Sequence, residues 1–383
     1  MGGSSGGKPE TLPLRAGYIQ QGDPRNQPVT PAHNNLGMSI SIRWVAAAAS
    51  LLLLLALAIA IYPLVRAGGA GLTLSNSENQ AHLMASGPAA PEFAGIVDWE
   101  NSPPLTVSSL RGKVVLVDFW TYSCINCQRT IPFLRQWWDK YKGEGFVIVG
   151  VHSPEFDFEK NIGNVKRAAK DYGVTWPIAV DSNMATWNAY SNHYWPAEYL
   201  IDKSGHIRHS HFGEGEYDVT ERAIQALLSE GGKSVPKTLA SADPGITADA
   251  GAQTPETYAG SARGDGRIRF TGAWIACPEY AELTASARSG KDYAEIGYQA
   301  KRLFMVAAPA SDPVKAWVTL DGRDLMPSQA GNSIQFDGSG RSYLVVDHDD
   351  LYALVASQEF ASHTLRVRPE SAGFRLYTFT FGS

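Results

Sequence analysis

Cys124-Ile125-Asn126-Cys127 carries the chemistry most plainly written in this chain. Two thiols at this spacing close a small disulfide ring and open it again. The pair follows an apolar, β-branched run, Val114–Trp120, and precedes a stretch of helical spacing that reaches Tyr141. Cys124 therefore falls at a helix N-terminus, where unpaired N–H groups and the helix dipole favour a thiolate. A thiolate with a second thiol three residues on is the minimum apparatus for thiol–disulfide exchange.

The elements around the pair read as alternating strands and helices. Leu105–Leu110, Val114–Trp120 and Phe146–Val151 have strand patterns, and Phe158–Tyr172 and Tyr217–Leu228 have helical ones. Tyr199–Ile201 and His206–Phe212 flank the turn Lys203-Ser204-Gly205, a hairpin signal. Residues 92–230 are thus expected to form an α/β domain, with its sheet covered by helices. Residues 231–254, rich in small and polar types, read as a linker crossed by few contacts. Residues 255–383 carry short β-rich runs separated by turn residues, the pattern of an all-β sandwich.

The chain has 383 residues, 44 % of them hydrophobic, and a net charge of −5. That balance supplies no electrostatic footprint for nucleic acid. Three cysteines are too few for a disulfide scaffold. Without a second pair, a zinc site on Cys124 and Cys127 is set aside. His206, His209 and His211 are read as solvated strand histidines rather than metal ligands, and Cys277 as a buried core thiol. No metal or cofactor is expected.

Trp44–Val65 contains no charged residue and is long enough to cross a bilayer as a helix. Residues 1–43 read as a disordered cytoplasmic tail and 66–91 as a tether. Basic residues before the span place the tail in the cytoplasm and the C-terminal part outside it, where disulfides persist. The expected location is the cytoplasmic membrane, single-pass, with both later domains extracytoplasmic.

The stretch Leu110–Trp120 followed by Cys124-x-x-Cys127 resembles the thioredoxin-like family, in its extracytoplasmic branch. Trp120–Arg129 is similar to the DipZ-type subgroup in particular. Gly150–Phe156, Tyr194–Asp202 and Thr254–Gly260 match it as well. The resemblance implies a thioredoxin-like fold joined to a jelly-roll sandwich that resembles carbohydrate-binding modules. It implies Cys124 as attacking thiol, Cys127 as resolving thiol and Asp118 as the buried acid beneath them. Pro196 matches the family's cis-proline, with Trp195 offering peptide groups to a substrate. Trp120 flanks the pair, and Glu155 is expected as a second acid near it. The partners so implied are protein disulfides or dithiols and a separate membrane electron-transfer protein as reductant. A carbohydrate on Trp274, Tyr280 and Trp317 of the last domain is a further candidate. A thiol peroxidase is the alternative chemistry, because Thr121 precedes Cys124 by three. The proline that pattern needs is Val117 here.

Overall fold

The computed structural model describes residues 83–84, 87–241, 253–285 and 291–382. The tail 1–43, the apolar run 44–65 and most of the tether lie outside these residues. Among the described residues, no helix is long and apolar enough to cross a membrane.

The first region has strands β1 (Asp98–Glu100), β2 (Val114–Trp120), β3 (Phe146–His152), β4 (Ile178–Val180), β5 (Ala197–Ile201) and β6 (Ile207–Phe212). Its helices are α1 (Ile125–Tyr141), α2 (Ile162–Asp171), α3 (Ala185–Ala189) and α4 (Tyr217–Ser229). The sheet order is β1-β4-β3-β2-β5-β6. β2, β3 and β4 run parallel, and the other pairings are antiparallel. Side chains along a strand alternate between faces. On β2, Val114, Leu116 and Trp120 join a core with Leu134 and Trp137 of α1 and Ile224 and Leu227 of α4. Val115, Val117 and Phe119 join the opposite core with Trp187 and Tyr190. Both faces are covered, so every residue of β2 is buried.

Two local expectations change. Leu105–Leu110 is not a strand, because Ser108–Leu110 forms a 3₁₀ turn whose preceding N–H groups are taken by the Glu92 carboxylate. The helical stretch from Phe158 breaks into a 3₁₀ turn, Asp157–Lys160, and then α2, which Asn161 caps.

The packed region also runs past both expected bounds. Ala89 bridges His206, and Ala90 N–H bonds to Gly205 O. At the other end, Val235 is buried, Lys140 donates to Thr238 O at 2.6 Å, and Ala240 N–H bonds to the buried Glu221 carboxylate.

The second region is all β. Its described strands form one continuous ladder of eleven strands, dominated by Tyr293–Pro309, Asp350–Pro369 and Phe374–Gly382. In the longest of these pairings the register shifts between Ala300 and Arg302. Before the shift, Ala294, Ile296, Tyr298 and Ala300 enter the region's core; after it, Leu303, Met305 and Ala307 do. Val306 and Ala308 consequently face the other way. With Tyr377 they bury Phe156 of the first region. Glu155 accepts from Arg263 at 2.7 Å and from Tyr258 at 2.9 Å across the same seam. Few crossing contacts were expected; the chain instead has a buried apolar seam with an ion pair beside it.

Candidate active site

Cys124 is the N-cap of α1, and its Sγ accepts the Cys127 N–H at 3.3 Å. That sulfur is half-buried and lies 4.0 Å from Trp195 O. Cys127 sits one turn inward, 2 % exposed, within the core beneath α1. Both are free thiols. Burial pushes the inner thiol well above the ordinary range, and the neighbouring Cys124 and Asp118 push the same way.

Asp118 shares the β2 face of Leu116 and Trp120, which places it on the Cys127 side of the sheet. It is 3 % exposed, its Oδ1 has no hydrogen-bond partner, and burial raises its carboxyl to about 7. Its direct cross-strand neighbour on β5 is Glu198. Glu198 is also buried and lifted to about 8, by desolvation first and by Asp118 second. Neither Glu198 oxygen has a close partner. The Thr220 hydroxyl stands nearby but is engaged with His209 Nε2 at 3.2 Å. Two buried carboxyls that are direct cross-strand neighbours therefore lie on one face beneath the thiols. A carboxylate whose basicity burial has raised to near neutrality can take a proton from a thiol that must become a nucleophile.

The Trp195–Pro196 bond is cis. Trp195 donates its indole N–H to Ser153 O at 2.9 Å and packs 4.1 Å from Trp187. Trp120 is buried edge-on against His152. Burial holds that imidazole neutral, its value lowered to about 3. Thr121 Oγ1 lies 3.3 Å from His152 Nε2, so the hydroxyl a peroxide-cleaving site would turn to Cys124 is engaged elsewhere.

Glu155 needs correction. Its carboxylate is held by Arg263 and Tyr258 at the seam, because an acid at the end of β3 meets a cation of the second region there. The acid beside the motif is Glu159. It accepts from Ser123 Oγ at 2.5 Å and from Phe156 N–H at 2.9 Å, and burial raises it to about 7.

Three other expectations change too. His209 is buried rather than solvated. Among the described residues no cluster of three or more ligand types forms. Cys277 is half-buried in a turn, its N–H bonded to Tyr280 O, and is not a core thiol. The three aromatics form no open platform. Trp274 packs on Phe270 and Phe374, Tyr280 joins the seam, and Trp317 donates to Glu370 under Lys315 and Arg341.

Sequence reasoning missed Glu198, Glu159 and Arg129. Glu198 carried a readable signal, a charge inside the apolar strand Ala197–Ile201, where a buried carboxyl needs a reason. Arg129, a charged residue on α1, is 7 % exposed and paired with Glu214 at 3.0 Å.

Two family models match the chain: the AhpC/TSA family over residues 87–210 and a thioredoxin-like C-terminal domain over residues 240–382. Protein DipZ of Mycobacterium tuberculosis is 39 % identical over 324 residues, 81 % of this chain. The chain spans only 45 % of DipZ's length. Thiol-disulfide oxidoreductase YkuV of Bacillus subtilis is 32 % identical over 140 residues, 37 % of this chain and 94 % of YkuV. Thiol-disulfide oxidoreductase ResA of Bacillus thuringiensis is 29 % identical over 165 residues, 43 % of this chain and 91 % of ResA. With its C-x-x-C at a strand-to-helix junction and its cis-proline beside the outer sulfur, the chain belongs to the thioredoxin-like thiol–disulfide oxidoreductases.

Proposed function

We propose that this chain exchanges disulfides with protein substrates through Cys124 and Cys127. The observation that carries this reading is the asymmetry of the two sulfurs. One is accessible and receives an N–H; the other is buried and holds its proton.

As a reductant, the Cys124 thiolate attacks one sulfur of a substrate disulfide. The S–S bond breaks, a mixed disulfide forms, and the other substrate sulfur leaves as a thiolate. Cys127 then loses its proton to Asp118 and attacks Cys124. The substrate's second sulfur leaves, and the Cys124–Cys127 disulfide remains. Two electrons pass to the substrate, and the reverse order oxidises it. Trp195 O and the cis-proline turn beside Cys124 supply an edge on which an extended substrate segment can lie.

Cys124→Ser is expected to abolish reduction of insulin disulfides. Cys127→Ser is expected to accumulate mixed disulfides on Cys124, visible by mass spectrometry. Normal turnover by Cys127→Ser would refute the assignment.

The same proposal places the site outside the cytoplasm, tethered by the apolar run Trp44–Val65, with a separate membrane protein supplying electrons. A reporter fused after Ser383 should be active only outside the cytoplasm. Extraction of the protein should require detergent; release by carbonate would contradict the anchor.

A further inference from the structure

A cavity of about 250 Å³ lies against the first turn of α1, lined by Ile125, Gln128 and Arg129 on one side and by Arg302, Phe304 and Asn332 on the other. Leu351 and Ala353 complete its wall, and no acidic residue lines it. The Arg129 side chain is 6 % exposed, and its Nη1 is committed to Glu214. Its Nε and Nη2 have no partner. A desolvated guanidinium with two idle donors is costly unless something arrives to claim them. Arg302 sets a second cation on the same cavity, and Asn332 and Gln128 add amide groups. Phe304 lies under the Arg129 guanidinium at 5.6 Å. The space is below the roughly 300–1,000 Å³ of drug-sized ligand sites, and suits a single acidic group with its stem. It begins one residue from the attacking sulfur.

We propose that this cavity binds a carboxylate carried by the thiol or disulfide substrate, close in its chain to the reacting sulfur. The inference rests on the exchange reading above and adds a specificity to it. Arg129 and Arg302 clamp the carboxylate, and the clamp sets the substrate sulfur against Cys124. Such a group comes either from an acidic residue near a protein cysteine or from a small thiol that carries its own carboxylate.

The test uses the full chain, reduced and freed of reductant, with the loss of its thiols followed in a single turnover. One substrate pair is two disulfide peptides that differ only by Glu or Gln beside the cysteine. A second pair is oxidised glutathione and its carboxyl-amidated form. The acidic member of at least one pair should react about tenfold faster, as expected for a charge-assisted contact. Arg302→Gln should bring that ratio close to one. A ratio in the peptide pair alone identifies a protein source, and one in the glutathione pair alone a small thiol. Equal rates within both pairs for the unaltered chain would overturn the proposal, with no variant needed. A ratio that Arg302→Gln leaves intact would overturn it as well. Absence of any reaction, including with the neutral peptide, would instead sink the exchange reading and this inference with it.

Discussion

The central strands of the two regions treat their buried carboxyls in opposite ways. In the first, Asp118 and Glu198 are buried side by side, with Asp118 Oδ1 and both Glu198 oxygens without a hydrogen-bond partner, and His152 is buried neutral. In the second, the buried Glu295 is held by Arg269 and Arg366, and buried Ser342 and Thr378 each donate to a backbone carbonyl. At Glu295, Ser342 and Thr378 the second sheet satisfies its buried polar groups, whereas at Asp118 and Glu198 the first leaves carboxyl oxygens without a partner, at the expense of stability. The contrast predicts that substitutions of the same type will change stability in opposite directions in the two regions.

The largest effect should come from Asp118→Asn. With the proton acceptor gone, resolution of the mixed disulfide should slow about 100-fold near neutral pH, as read by quenched-flow trapping. Stability should move the other way. The Asp118 carboxyl is raised to about 7 in the folded protein, so the unfolded chain ionises first. Stability is thus lost as pH climbs from about 4 to about 7 and stays lost above that. Asp118→Asn removes this loss and should stabilise the protein at pH 8 by on the order of 2–4 kcal/mol in denaturant titrations. A destabilised variant would break the comparison.

Truncation tests where the first region ends. A chain of residues 92–235 lacks the Ala240 N–H on Glu221, the carbonyls that engage Lys140 and Tyr141, and the bridge at Ala89. Set against residues 87–241, it should lose roughly 2–3 kcal/mol, the cost of leaving a buried carboxylate short of partners. Equal melting points would show that residues 87–91 and 236–241 pack without stabilising.

Glu198→Gln sharpens the comparison. It should stabilise the protein at pH 8 by about 1–3 kcal/mol, since its carboxyl too is held protonated by burial. It should leave the pH midpoint of the resolving step in place, because Glu198 is still largely protonated where Asp118 ionises. A midpoint that falls would show that the two carboxyls titrate together. The smallest effect belongs to Glu295→Gln in the second region, which should destabilise by about 1 kcal/mol. Its arginine partners are half in solvent, so little of the Coulomb energy survives there. A gain in stability from this change would end the distinction between the regions.

What the sequence made legible follows the same division. Cys124, Cys127 and Asp118 lie within ten positions of one another, and local pattern placed all three on one strand and the helix after it. Glu198 reaches the site only through the pairing of β5 with β2, which no local pattern specifies. Within Tyr293–Pro309 only Leu303–Ala308 is a continuous apolar run. The remainder alternates with polar residues, and Lys301-Arg302 interrupts the pattern at the register shift. Arg129 has the look of a solvated helix residue until the second region covers it. The seam itself was hidden because Phe156 and Val306 each read as ordinary core of their own region.

The offset at Ala300–Arg302 works like a reading frame along the strand. Upstream, even-numbered residues fill the interior; downstream, odd-numbered ones do. Arg302 and Phe304 line the cavity beside the redox pair because the frame changes just before them. Deleting one residue here would send the arginine toward an interior of Leu, Met and Val and put Leu303 in its place on the cavity wall. The identity of the wall opposite Ile125 and Arg129 therefore depends on an irregular step in a strand that contributes no sulfur chemistry of its own.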